Sequence, residues 1–347
     1  MSLLFVLYCL FVVFGFVKKD SKLVTVLILV FAWLIVGLNN NGPDYDNYVW
    51  RYEQNDSWLG VVLGPSTDYG FSLLCFLGNQ LNLSFIGFKT VLAGISYLLI
   101  FSFLAKLDKN SSLVASCYLL SFFLIDVIQI RNFFAMSVLI FGFRFLLEPG
   151  RRTKNIIFYI VCSLIAASIH VSMVFSLLFL LSKFDIKWWH IVPAIALIFV
   201  FKAFFYGEFS VRMESDKLEN YQEASSLLGG YFSSLIFLMN AAFISWVVWL
   251  KKKRSIIKAI PFPSAENVRS INLLLLLLIP FLFDAAGFSR LLKDVLIVNY
   301  SFLAFQLKKN ERYLLYIYVL FFFWYYILGD SSRVEIFNAA FIYNTLL

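Results

Sequence analysis

The residues of this sequence that are equipped for chemistry fall in a few short stretches. One is Asn39-Asn40-Asn41-Gly42-Pro43-Asp44-Tyr45-Asp46-Asn47-Tyr48, followed closely by Trp50 and Arg51. Asp68 precedes Tyr69-Gly70-Phe71, and Asp126, Gln129 and Arg131 lie between two apolar runs. Ser168-Ile169-His170 interrupts another run, and Arg290, Lys293 and Asp294 follow Asp284 and Gly287. Arginine's planar fork grips phosphate through paired, charge-assisted hydrogen bonds. Arg131, Arg290 and Arg51 are therefore candidates for holding an anion. Carboxylates and imidazole take protons from hydroxyl groups, so His170, Asp44 and Asp46 are all candidate bases. Tyr45, Tyr48 and Trp50 offer ring faces to a sugar, and Asp68 joins them as a candidate binding residue.

Each of these residues also has a plainer reading. Arg131 would serve as an interfacial arginine whose stem lies along apolar surface. His170 would serve in helix packing, and Asp126 as the cap of the next helix. Asp44 and Asp46 would be loop acids beside a Gly-Pro turn, and the tyrosines part of an interfacial aromatic belt. The convergence of cations, acids, one histidine and tyrosines on one side favours the chemical reading. Ser168-Ile169-His170 makes no hydrolase signature, and the sequence has no G-x-S-x-G elbow, no H-E-x-x-H and no Walker loop. The four cysteines (Cys9, Cys75, Cys117, Cys162) lie in apolar runs at unrelated spacings. That pattern disfavours structural zinc and a disulfide framework. No metal and no cofactor are expected.

The elements that must position these residues are written in the composition. Hydrophobic residues make up 61% of the 347 and charged residues 14%, against about 45–50% and about 25% in soluble domains. Water would drive such a surface to associate, so lipid is its solvent. The fold class expected is an all-α polytopic integral membrane protein forming a single domain, 1–347. About 20 apolar residues cross a bilayer as a helix. Spans are expected near 3–17, 23–38, 85–105, 113–125, 133–147, 156–168, 171–181, 188–206, 231–250, 271–286, 291–307 and 312–328. That makes about twelve crossings, within a range of ten to thirteen. Residues 69–83 are too polar and short for a span and read as an interfacial or re-entrant helix. The first seventeen residues lack a charged start and a small-residue cleavage site, and read as a retained helix. The 41 phenylalanines read as lipid-facing surface.

Charge gives the orientation. The net charge of +8 sits in short clusters: Lys18-Lys19, Lys106 with Lys109, Arg151-Arg152-Lys154, Lys251–Arg254 and Lys308-Lys309. That is the pattern of loops kept in the cytoplasm, and it offers no continuous basic face to nucleic acid. Two longer loops are acidic. Residues 39–70 hold five acids against one arginine, and residues 207–228 hold five against two cations. Both are placed outside. Passing from an inner Lys154 to an outer Gly207 takes an odd number of crossings. Residues 156–181 must therefore break into two spans at His170, which returns Lys183 and Lys187 to the cytoplasm. Both termini are then outside, and the candidate residues share the outer face.

Four elements in order carry a family resemblance: Gly42-Pro43-Asp44-Tyr45-x-x-Tyr48, Asp68-Tyr69-Gly70-Phe71-x-Leu73-Leu74, Ile130-Arg131-Asn132-x-x-Ala135 and Ala166-Ala167-Ser168-Ile169-His170-x-Ser172. This order resembles the EpsG/Wzy family of polymerases that join lipid-linked oligosaccharide repeat units for O-antigen or capsule. Gly287-x-Ser289-Arg290 extends the likeness, and Asp68 stands where many relatives carry Glu. The resemblance implies glycosyl transfer on the outer face of a bacterial inner membrane. A glycan on undecaprenyl pyrophosphate would be donated to a lipid-linked acceptor repeat unit. It also implies company in the membrane: lipid, a flippase and a chain-length regulator. A lipid-linked glycan ligase, another membrane glycosyltransferase, a lipid-oligosaccharide flippase and a structural assembly partner stay open as alternatives. A flippase would call for an internal repeat and charge along both halves of a cavity, and the sequence shows neither.

Overall fold

The computed structural model describes residues 2–63, 68–150, 152–210, 227–253, 262–283, 288, 290–328 and 333–344. Among these the chain is helical throughout, with no strand. Helices α1 (Leu3–Val17) and α2 (Lys22–Leu38) start where serine hydroxyls accept free backbone N–H groups. Ser2 takes Phe5 N at 3.3 Å and Ser21 takes Val24 N at 3.2 Å. Short helices α3 (Tyr45–Gln54), α4 (Trp58–Leu63) and α5 (Tyr69–Gln80) follow, and Ser84 caps α6 (Phe85–Leu104) in the same manner as Ser2 and Ser21. The region read as an interfacial or re-entrant helix is thus α5. It is tied to α3 through Asn79, whose amide donates to Tyr52 O at 2.8 Å and Asn55 O at 3.1 Å.

The bundle continues with α7 (Ser111–Ser121), α8 (Phe123–Ile128), α9 (Ile130–Leu146) and α10 (Thr153–Ile169). A 3₁₀ helix, Val171–Lys183, leads to α11 (Trp188–Ser210), α12 (Leu227–Lys253) and α13 (Ala265–Leu282). The chain closes with α14 (Arg290–Gln306), α15 (Tyr313–Phe323) and α16 (Arg333–Phe341). The span expected at 113–125 is two helices, because the backbone leaves helical geometry at Phe122 (φ −144°, ψ 3°). Among the described residues three helices are long and apolar enough to cross a bilayer: Phe85–Leu104, Gly229–Lys253 and Ala265–Leu282. Lys309–Leu328 with Arg333–Phe341, bent by 98°, would make a fourth, and six further apolar helices are 10–17 residues long. Twelve crossings would need every one of these and more. The phenylalanines do not all face lipid, as the composition suggested. Phe71, Phe103, Phe122, Phe123, Phe133, Phe143 and Phe237 are fully buried in the core, where rings fill volume between packed helices.

The chain reverses at His170. The Tyr159 hydroxyl of α10 donates to Ser176 O at 2.8 Å, so the 3₁₀ helix lies back along α10. At its far end Lys183 Nζ donates to Glu148 O and Gly150 O at 2.7 and 3.0 Å. The break required at His170 is therefore a hairpin. Several basic loops also meet at one end of the bundle. Leu113 N reaches Lys19 O, Asn110 N reaches Asp20, and Arg312 reaches Asn110. Lys106 pairs with Glu148, Lys251 with Glu311 at 2.6 Å, and Arg269 with Asp185 at 2.8 Å. All of these lie toward the C-terminal end of α9, about 24 Å along its axis from Arg131 at the other end. The acidic residues placed outside at 207–228 lie almost wholly beyond the described residues, as do Arg151 and Arg254.

Within the bundle, four buried polar side chains close on one another. Asn240 of α12, Asn272 of α13, Asn299 of α14 and Tyr318 of α15 form one hydrogen-bonded knot. Asn240 Nδ2 donates to Asn272 Oδ1 at 2.7 Å, and Asn272 Nδ2 donates to Asn299 Oδ1 at 2.8 Å. Asn299 Nδ2 donates to Asn272 Oδ1 at 2.9 Å, and Tyr318 donates to Asn240 Oδ1 at 2.5 Å. The knot fixes the register of four helices by spending polar groups on one another.

Candidate functional site

Asp68 stands immediately before α5 and its carboxylate caps nothing on its own helix. It reaches outward instead, and three groups come to it. Arg131, in the first turn of α9, pairs with Oδ2. Val171 N donates to Oδ1 at 3.0 Å, and His170 Nδ1 stands 4.0 Å from the same oxygen. Gly70 permits this meeting. A Cβ there would lie 2.7 Å from the Ser168 carbonyl carbon, so only glycine lets α5 pass this close to the end of α10. The hairpin at His170 supplies the rest, because its extended backbone (φ −146°, ψ 111°) turns the Val171 amide toward Asp68.

Asp44, Tyr48 and Arg290 complete the cluster. The charges of Arg290 and Arg131 both act on Asp44, and Tyr48 feels Arg131, Asp44, Arg290 and Arg51. Gly42 sets up this loop with a left-handed backbone (φ +137°), its α-carbon facing Ile128 and Ala339. Tyr48 is buried and its ring lies 6.0 Å from Phe71, and Arg51 is buried on the same helix. The arrangement sets three guanidinium groups against two carboxylates, beside the positive end of α9. An anion is what this field attracts.

The electrostatics sort the acids. Burial alone would disfavour a charged Asp68. His170, Arg131 and the Val171 N–H outweigh it and hold the carboxyl well below the usual carboxylate range. Asp68 is thus a fixed anion that orients cations and an imidazole, and is poorly suited to accept a proton. Burial raises Asp44, although Arg290 and Arg131 pull it the other way. Burial pushes His170 down to about 4, with Arg131 and Arg290 adding to the effect and Asp68 opposing it. The imidazole is neutral at physiological pH and keeps a lone pair.

The sequence candidates are therefore mostly brought together: Asp44, Tyr48, Arg51, Asp68, Arg131, His170 and Arg290. Asp46 is exposed in the first turn of α3, where its charge acts on Tyr45. Tyr45 sits to one side, edge-on to Phe85 at 5.4 Å, and Trp50 is half-exposed. Asp126 does not cap α9. It is fully buried against Lys293 at 2.6 Å, with Tyr118 donating at 3.0 Å. Asp284, Gly287 and Ser289 lie outside the described residues. Lys89 was not among the candidates. It is buried within α6, donates to Asn39 O and lies 5.2 Å over the Tyr45 ring, so it braces the loop that carries Asp44. A lone lysine inside an apolar run was the signal that marked it. Among the described residues no group of three or more His, Cys, Asp or Glu could hold a metal ion.

No curated protein and no solved structure matches the chain. The model of the EpsG family matches residues 22–341. That stretch contains every residue of the cluster, from Asp44 to Arg290, and the chain belongs to the EpsG family.

Proposed function

We propose that the chain is a membrane glycosyltransferase that polymerises lipid-linked oligosaccharide repeat units at the outer face of a bacterial inner membrane. The observation that carries this reading is the junction of Asp68, Arg131 and His170, at the end of the bundle away from the basic loops. Positive loops stay inside, so the junction faces out. The family resemblance implies the substrates: a glycan on undecaprenyl pyrophosphate as donor and a lipid-linked repeat unit as acceptor. A flippase and a chain-length regulator would work beside it.

In the step proposed, an acceptor hydroxyl oxygen attacks the anomeric carbon of the donor. The bond from that carbon to the pyrophosphate oxygen breaks, and the pyrophosphate departs on its lipid with an added negative charge. Arg131 and Arg290 face that charge, and preorganised donors of this kind stabilise it as it forms. The hydroxyl proton goes to His170 Nε2, because Asp68 faces Nδ1 and favours the tautomer with its proton there. A pyrophosphate bound between the arginines cancels part of the positive field on His170. The imidazole therefore becomes a stronger base once substrate is present.

The test is the glycan made by a strain lacking this chain. Loss of a polymerase leaves surface glycans of a single repeat. A surface with no repeat units at all would instead identify a flippase and overturn the proposal.

A further inference from the structure

The end of the bundle away from Arg131 and His170 holds a cleft of about 700 Å³ between α11, α12 and α13. Four of the chain's eight tryptophans stand on its walls: Trp188 and Trp189 on α11, Trp246 and Trp249 on α12. All four are at least 38% exposed, so their ring faces are open to whatever fills the cleft. Ala242 and Leu273 continue the apolar wall inward. The mouth is cationic. Lys187 and Lys252 line it, and Lys253 lies 5.2 Å over the Trp249 ring.

The acids at the mouth do not use up these cations. Asp185 and Glu266 both pair with Arg269, at 2.8 and 3.1 Å, and that guanidinium is the better buried of their partners. Lys187 and Lys252 share the same two carboxylates at 3.3 and 2.6 Å, yet their side chains remain 41% and 52% exposed. Exposed ion pairs of this kind contribute little and exchange readily. The lysines can turn to a new anion while Arg269 keeps the acids. An apolar slot with aromatic walls and movable ammonium groups at its mouth matches an acyl chain topped by a phosphate.

We propose that this cleft binds one phospholipid with an anionic headgroup. Its tails lie along the tryptophans of α11 and α12, and Lys187 and Lys252 hold its phosphate. The site is separate from the candidate active site, standing at the other end of α9 and α10.

Bromine on a lipid tail quenches nearby tryptophan. The full chain is reconstituted in phosphatidylcholine vesicles carrying either brominated phosphatidylglycerol or brominated phosphatidylcholine. Half-maximal quenching is expected at about fivefold less of the anionic lipid, the preference that one cation's attraction confers. Trp188→Phe, Trp189→Phe, Trp246→Phe and Trp249→Phe together should remove most of the difference between the two lipids. Lys187→Gln with Lys252→Gln should abolish the preference, whereas Lys308→Gln with Lys309→Gln at another basic loop should preserve it. Equal quenching by the two lipids overturns the proposal. So does equal loss of preference in both lysine pairs, which would signify general surface charge. Loss of the preference on adding millimolar inorganic phosphate would assign the mouth to a free ion and overturn it likewise.

Discussion

Two of the polar clusters among the described residues are built on opposite plans. The knot of Asn240, Asn272, Asn299 and Tyr318 is neutral, fully buried or nearly so, and its members bond to one another. The cluster around Asp68 is charged, holds more cations than acids, and stands at the junction of loops and helix ends. A neutral knot has nothing left to offer a ligand, so its effect is on stability and register. A cluster with surplus positive charge attracts an anion. Burial alone does not separate structure from function here. The balance of charge does.

The contrast can be broken most sharply at Arg131. Arg131→Lys keeps the charge and loses the planar fork. A leaving-group clamp of this kind contributes about 3–4 kcal/mol, so polymer should fall about a hundred- to a thousandfold while single-repeat product persists. The variant must be matched to wild type for protein in the membrane. Long chains at normal abundance would show that Arg131 is only an anchor. Asp68→Asn should cost less, about tenfold to a hundredfold in rate, because it removes charge-assisted bonds that hold Arg131 and the Val171 amide but no group on the substrate. Its signature is lost rate at unchanged abundance, with Asp68→Glu recovering part of it.

The neutral knot should behave in the opposite way. Asn272→Leu leaves Asn240 and Asn299 without their shared partner and should destabilise the protein by about 2–3 kcal/mol. Unfolding in detergent reads the loss, and product per folded molecule should not change. A rate defect larger than the loss of folded protein would end the distinction between the two clusters. Asp46→Asn, at an exposed position, should alter rate by about twofold at most.

The pH profile sharpens the role of His170. A base works only when unprotonated, so activity falls as pH drops through its pKa. In kcat/KM, which reports the unliganded protein, the rate should hold from about pH 8 to about pH 5 and decline toward the buried His170's value of about 4. In kcat the decline should begin at higher pH, because bound pyrophosphate lifts the arginines' field. Coincident profiles would remove His170 from the proton transfer. Stability carries its own sign. Asp68 has its lowered value only when folded, so its contribution is complete above the ordinary carboxylate range and is lost as acid reaches the folded value.

Much of this was legible in the residues. Apolar runs gave the helices, and charge parity alone placed a reversal at His170, which the contacts of Tyr159 and Lys183 bear out as a hairpin. The pairing of Asp68 with Arg131 and His170 was not legible, since the partners lie 63 and 102 positions away and only the crossing at Gly70 brings them near. Asp126 looked like a member of the site because it is five residues from Arg131. The turn of the chain at Gln129 gives it to Lys293 instead. Lys89 was visible as a charge in an apolar helix, but its purpose depends on the Asn39 carbonyl, which no periodicity predicts.

The hairpin at His170 also acts as a ruler. Its two legs have unequal numbers of residues, seventeen in α10 and thirteen in the 3₁₀ helix. At about 1.5 Å per residue the first reaches about 26 Å, and at about 2.0 Å the second reaches the same length. The stretched winding thus lets the shorter leg finish level with the longer one, with Lys183 at the carbonyls of Glu148 and Gly150. Were that leg to wind as an α-helix, it would shorten by about 6 Å. Either Lys183 would let go at one surface or the Val171 amide would be drawn from Asp68 at the other.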